Sequence, residues 1–186
     1  MNSGTKMNEP ILPHEIRQMY EGRIFRVAVE TITLPKGPEL KVEVVRHPGS
    51  VVLVPLTERG ELILVRQYRH AVGRWLWELP AGSLEAGEAA VEAAARECQE
   101  ELGLIPARVE RLGSFFPTPG YCDEEMAFFR VTGLRTPGKD DKAARPDEDE
   151  DIESRAFAIE DVRRCIANGE IVDLKTVAGL TLIGAA

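Results

Sequence analysis

The sequence predicts an α+β fold, with a mixed sheet held between helices and a separate antiparallel β-hairpin ahead of it. Three observations predict it. Strand-like apolar runs recur from Arg23 to Leu79 and from Val109 to Ile159, one helical stretch interrupts them before Leu104, and two more helical stretches close the chain. At 186 residues, 44% of them hydrophobic, the chain suits one domain with a sizeable core and a small appended sheet. We expect a loose tail over residues 1–16, an N-terminal β subdomain over 17–48 and the main domain over 49–186.

The elements follow in order. Arg23 to Leu34 alternates well enough for a strand, Pro35-Lys36-Gly37-Pro38 is a turn signal, and Leu40 to Arg46 returns as the second strand of a hairpin. Val51 to Leu56 is a continuous apolar run. After the turn Glu58-Arg59-Gly60-Glu61 comes Leu62 to Arg69, which predicts two neighbouring antiparallel strands in a buried sheet. Trp75 to Leu79 is a short strand that delivers the chain to Pro80-Ala81-Gly82. In the helix that follows, Val91, Ala94, Ala95, Cys98 and Leu102 fall in one narrow arc at about 100° per residue, the expected buried face. Gly103 supplies a stop and Pro106 forbids continuation. Val109 to Phe116 and Glu125 to Val131 read as strands, and residues 135–151 as a polar, charged loop. Ile152 to Ile159 returns to strand, and Glu160 to Ala167 and Asp173 to Ile183 read as helices.

Composition narrows the function classes. A formal net charge of −8 argues against a nucleic-acid partner, because such binding rests on clustered Lys and Arg. No stretch reaches membrane-spanning length, and the N-terminus lacks a long apolar core or cleavage site. Three widely spaced cysteines without a CxxC suit a reducing cytoplasm rather than a disulfide framework. His14, His47 and His70 share no ligand spacing, and no Ser-His-Asp or nucleophilic cysteine arrangement is visible.

The chemistry gathers between Gly82 and Leu104, where a glycine loop leads into a helix bearing Glu88, Glu97, Glu100 and Glu101 with Arg96. Glu97 and Glu101 are four apart, so they stack one turn above the other beside the apolar arc, with Glu100 about 60° further round. Three carboxylates this close repel one another unless something positive compensates. An all-oxygen set without Cys or His nearby points to a hard divalent ion, and Mg²⁺ fits better than Zn²⁺. For any one glutamate a solvated helix face with ordinary i,i+4 pairs is the simpler reading. The joint pattern decides otherwise. Gly82, Glu88, Arg96, Glu97, Glu100, Glu101 and Gly103, each at roughly 7% background usage, coincide by chance on the order of once in 10⁸ windows.

Gly82, five residues, Glu88, seven residues, Arg96-Glu97-Cys98, one residue, Glu100-Glu101, one residue and Gly103-Leu104 resemble a complete Nudix box, spanning residues 82–104. The one departure is Cys98, where the family prefers a branched aliphatic residue, and a cysteine still packs as a small hydrophobe. The resemblance implies the Nudix α/β/α sandwich and the hydrolysis of nucleoside diphosphates linked to another moiety. Pro119, fifteen residues after Leu104, and the Pro-Gly-x-x-Asp-Glu run to Glu124 resemble the ADP-ribose pyrophosphatase branch, which splits ADP-ribose into AMP and ribose 5-phosphate.

That resemblance implies the remaining roles. The metal, Mg²⁺ or Mn²⁺, would be held by the Ala81 carbonyl, Glu97, Glu101 and Glu150, with Glu148 and Glu100 as the catalytic carboxylates. Arg69, Arg46, Pro119, Gly120 and Glu124 would contact substrate, while Gly82, Glu88 and Arg96 would brace the loop and helix. In this branch the N-terminal strands are exchanged between subunits, which implies a homodimer. Two alternatives stay open: another nucleotide sugar such as GDP-mannose as substrate, or a non-catalytic nucleotide-binding module.

Overall fold

A computed structural model of the chain describes residues 10–139, 141 and 152–184. The chain divides into two compact units, Met1–His47 with Thr118–Glu124, and Pro48–Pro117 with Glu125–Ala186.

The first unit holds a three-stranded antiparallel sheet of β1 (Glu15–Glu21), β2 (Arg26–Thr33) and β3 (Glu39–Arg46), in that order. β2 and β3 are the expected hairpin. β1 is an addition, and it starts at Glu15, inside the stretch read as tail. Its sequence EIRQMYE lacks a clean period of two, and all seven residues are exposed, so no buried stripe marks it. Residues 118–124 are stitched to β3: the Val45 N–H donates to the Tyr121 carbonyl at 2.7 Å, and the Asp123 N–H donates to the Val45 carbonyl at 3.1 Å.

The second unit is layered. β4 (Ser50–Pro55), β7 (Ala81–Ser83), β8 (Arg108–Phe115) and β9 (Met126–Thr132) form a mixed sheet in the order β7-β4-β9-β8, in which only β4 and β9 are parallel. A second, antiparallel sheet has β5 (Leu62–Arg69) between β10 (Glu153–Phe157) and β6 (Arg74–Glu78). Helices α1 (Ala90–Leu102), α2 (Ile159–Ala167) and α3 (Leu174–Leu182) complete it.

β4 explains the layers. All six of its residues are buried, and alternate side chains leave opposite faces of a strand, so both faces need an apolar cover. Val51 and Leu53 pack with Ala127, Phe129 and Val131 against Ala93, Ala94 and Cys98 of α1. Val52 and Val54 join Phe128 on the other side, against Leu62 and Leu64 of β5, Val162 of α2 and Leu180 of α3. This corrects the expected pairing of β4 with β5. The two strands share only the isolated bridge Leu56–Leu62, because the turn between them carries β5 into another layer, where it covers β4.

The buried face of α1 is also rotated from the expected arc. Ala93, Ala94, Glu97 and Cys98 are buried, whereas Val91 is 48% exposed. The helix lays its smallest side chains on the sheet, which brings its axis close and draws Glu97 inward. It ends as expected at Gly103, whose φ of 65° is the left-handed conformation that glycine adopts without cost. Among the described residues no helix is long and apolar enough to cross a membrane.

Cys98 has no exposed surface, and burial pushes its thiol pKa up to about 12. At pH 8 iodoacetamide should therefore modify Cys98 only after denaturation, read by peptide mass. Labelling of native Cys98 as fast as Cys122 would contradict this packing.

Candidate active site

The site begins where the chain leaves β6. β7 lays Ala81, Gly82 and Ser83 against Val52, Val51 and Ser50 of β4, directly beneath α1. A β-carbon at Gly82 would collide with the carboxylate of Glu97. Only glycine permits so close an approach, and it presses the buried Glu97 carboxylate over the backbone beside Ala81.

Arg96 ties this junction together. Its Nε and Nη2 donate to Glu88 Oε1 and Oε2, both at 2.9 Å, and its Nη1 donates to Glu97 Oε1 at 2.6 Å and Glu100 Oε2 at 2.7 Å. Nη2 also reaches the Ser83 carbonyl at 3.2 Å. Glu88 lies just ahead of α1, and its Oε2 accepts the Glu85 N–H at 3.1 Å. The bond to Glu88 is the leading cause that raises the Arg96 pKa, and the same bond holds Glu88 below the usual carboxylate range. Loop and helix are thus braced through one guanidinium.

The donor chemistry fits a hard cation. Glu88, Glu97 and Glu100 bring three negative charges to the single positive charge of Arg96, which leaves 1 − 3 = −2 in this group, and Glu101 follows one turn after Glu97 on the same helix. All the donors are oxygens, as Mg²⁺ or Mn²⁺ prefers. Among the described residues no three His, Cys, Asp or Glu side chains converge into a ready metal cage. Arg96 instead spans Glu97 and Glu100, and the closeness of its bonds to both carboxylates marks the demand for positive charge there.

Arg69 ends β5 and donates from Nε to Glu78 Oε1 at 2.7 Å. Burial disfavours its charge, but the hydrogen bond to Glu78 and the charges of Glu78, Glu101 and Asp173 outweigh that and raise its pKa. Arg69 therefore lies in the field of the box helix. Ala81, Gly82, Glu88, Arg96, Glu97, Glu100, Glu101 and Arg69 all belong to the second unit.

Arg46, Pro119, Gly120 and Glu124 belong to the first. There Arg46 donates to Glu30 Oε1 from Nε at 3.0 Å and Nη2 at 2.6 Å, and to Asp123 Oδ2 from Nη1 at 2.9 Å. These bonds, Glu30 first, raise its pKa. Pro119 and Gly120 form a turn in which the Thr118 carbonyl accepts the Tyr121 and Cys122 N–H groups, and Glu124 stands 4.0 Å from His47 Nδ1. Glu148 and Glu150 lie outside the described residues.

Several partners escaped sequence reasoning. Glu78, Asp173, Lys175 and Thr176 form a buried polar chain with Arg69, and Glu30 and Asp123 hold Arg46. The available signals were a lone acid in the apolar run Trp75-Leu76-Trp77-Glu78-Leu79 and a helix-capping pattern at Asp173 to Thr176.

A NUDIX domain family model matches residues 46–176. The chain is 33% identical over 159 residues to the ADP-ribose pyrophosphatase of Bacillus subtilis (strain 168), covering 86% of this chain and 84% of that one. It is 36% identical over 160 residues to the methanol dehydrogenase activator of Bacillus methanolicus, covering 86% and 85%. A solved structure described as an ADP compounds hydrolase shares the fold, with a TM-score of 0.80 over 97% of this chain and 95% of that one at 19% identity. The family match runs from the last residue of β3 into α3 and takes in the whole glutamate helix with the strands beneath it, and on that match the chain belongs to the Nudix family.

Proposed function

We propose that this protein is a divalent-cation-dependent diphosphatase that hydrolyses ADP-ribose to AMP and ribose 5-phosphate. The observation that carries the reading is the intact set of Gly82, Glu88, Arg96, Glu97, Glu100 and Glu101 at one loop–helix junction. The name of the Bacillus subtilis relative supports the choice of substrate.

Nudix hydrolases use divalent cations. Here the Ala81 carbonyl, Glu97, Glu101 and Glu150 are the proposed holders of Mg²⁺, with Mn²⁺ as a substitute. When bound, the cation supplies positive charge against the diphosphate and acidity to a nearby water. Glu148 and Glu100 are the catalytic carboxylates. Glu148 takes a proton from the attacking water, whose oxygen bonds to one phosphorus while the bridging P–O bond on that phosphorus breaks and the second phosphate departs. Arg69 holds phosphate oxygens with its planar fork. Arg46, Pro119, Gly120 and Glu124 complete the substrate-contacting set that the resemblance implies. Gly82, Glu88 and Arg96 keep Glu97 in place. The free cysteines Cys98, Cys122 and Cys165 suit a reducing cytoplasm.

A homodimer through the N-terminal strands is supported by β1, an edge strand whose Ile16, Met19 and Tyr20 are all exposed. The likeness to a methanol dehydrogenase activator supports a second reading, a nucleotide-binding module that acts on another enzyme.

Purified protein with Mg²⁺ should release AMP from ADP-ribose faster than it cleaves GDP-mannose or NADH, and excess EDTA should abolish the release. Binding without any phosphate product, together with a changed rate of an added methanol dehydrogenase, would favour the second reading. Glu101→Gln should lose most turnover, at least about a hundredfold, while circular dichroism stays unchanged, because it removes a proposed ligand rather than a core contact. Glu148→Gln in the same series should lower kcat more than it raises KM; a kcat loss found only in Glu150→Gln would move the base by two residues. Light scattering coupled to size exclusion should give twice the chain mass of 20.6 kDa, and a single-chain mass at micromolar concentration would refute the dimer.

A further inference from the structure

Glu78 takes no part in the reaction above, yet at 1% exposure it is the most deeply buried charge among the described residues. A buried carboxylate stays ionised only when its oxygens are paired. Oε1 accepts Arg69 Nε at 2.7 Å, and Oε2 accepts Lys175 Nζ at 2.6 Å. Lys175 also donates to Asp173 Oδ1 at 2.9 Å, and Asp173 caps α3 by accepting the Thr176 N–H at 3.0 Å. Thr176 donates its hydroxyl to Asp173 and accepts the Leu79 N–H at 3.0 Å. Two cations and two anions close this circuit, which fastens the first turn of α3 to the residues just ahead of Ala81.

The manner in which Arg69 is held carries the inference. A guanidinium opposite a carboxylate favours the two-pronged fork, with two N–H groups on two oxygens. Among the described residues Arg69 instead donates through Nε to one oxygen, and its Nη1 and Nη2 make no hydrogen bond. The second oxygen is already taken by Lys175.

We propose that Lys175 is a positioning residue: by occupying Oε2 of Glu78 it prevents Arg69 from folding its fork onto the carboxylate, and so keeps the terminal guanidinium groups available for substrate phosphate. This rests on the reading of Arg69 as a phosphate contact. Without Lys175, the Glu78 carboxylate would attract both prongs of Arg69, and ground state and transition state would lose the same contact. The result is a loss of binding rather than of chemical rate.

The test is a double-variant cycle of Lys175→Met and Arg69→Ala, with steady-state kinetics on ADP-ribose in Mg²⁺ and thermal unfolding of each protein. Lys175→Met should raise KM about tenfold with kcat within about twofold, the scale of one charge-assisted hydrogen bond. In the Arg69→Ala background it should raise KM no further, while the shift in Tm caused by losing Lys175 persists in both backgrounds. A purely structural role would instead multiply the two kinetic effects. Lys175→Gln keeps a donor to Glu78 without the charge and carries the same cycle if Lys175→Met does not fold; its rise in KM should be smaller and also vanish without Arg69. An unchanged KM in the Lys175 variants, or the same rise with and without Arg69, overturns the proposal. An unchanged KM in Arg69→Ala alone overturns the phosphate reading of Arg69, and the role of Lys175 falls with it.

Discussion

The approach of α1 to Gly82 is the constraint from which the rest of the catalytic unit follows. A helix can come that near to a strand only over a glycine and only on a face of small side chains, here Ala93, Ala94 and Cys98. The approach buries the carboxylate of Glu97, and a buried carboxylate must be met by hydrogen bonds and opposite charge. Arg96 meets it, and Arg96 is aimed by Glu88 from the loop ahead of the helix. Packing and electrostatics are therefore one problem at this junction: the alanines set the distance, and the distance sets the need for the arginine.

The segment from Glu78 to Ser83 is fastened from both helical layers. On one side Glu97 lies over Gly82. On the other, Thr176 accepts the Leu79 N–H, and Gly179 of α3 lies so close to Leu79 that a β-carbon there would meet its side chain. Ala81 lies between these fastenings. As the proposed holder of a cation, the Ala81 carbonyl would gain from such support, since a ligand that moves loses the advantage of preorganisation. Two acids nineteen residues apart, Glu78 and Glu97, thus serve as anchors for a short strand whose own hydrogen bonds to β4 span only three residues.

The sequence made the layered fold and the loop–helix junction legible because both rest on local patterns. The apolar run of β4, the glycine stop at Gly103 and the spacing of Arg96, Glu97, Glu100 and Glu101 are all read within one element. Other features depend on partners far along the chain. Nothing within β4 or β5 says that they occupy different layers, because a run buried on both faces looks alike beside a hairpin neighbour and beneath a second sheet. The rotation of the α1 face, with Val91 outside and Glu97 inside, reverses their hydrophobic ranking, since it follows from Gly82 rather than from the helix itself. Lys175 and Glu78 are 97 positions apart, and neither residue alone distinguishes a buried pair from two surface charges. β1 was hidden for the opposite reason: it buries nothing in a single chain, so it carries no pattern to read.

The two charge clusters of the catalytic unit differ in the quantity that matters for their roles. Around Glu78 the charges of Arg69, Lys175, Glu78 and Asp173 sum to zero, every carboxylate is held by a cation, and the cluster is complete without any further ion. Around Arg96 three glutamates share one guanidinium, and the deficit of two charges is more than the arginine can balance. A protein of net charge −8 would repel a diphosphate if its acids were spread evenly. Grouping acids along one helix and the loop ahead of it suits the proposed role: divalent ions drawn there would face the phosphate that the carboxylates alone would turn away. The neutral cluster holds Arg69 through Glu78, a second arginine whose position does not depend on any ion.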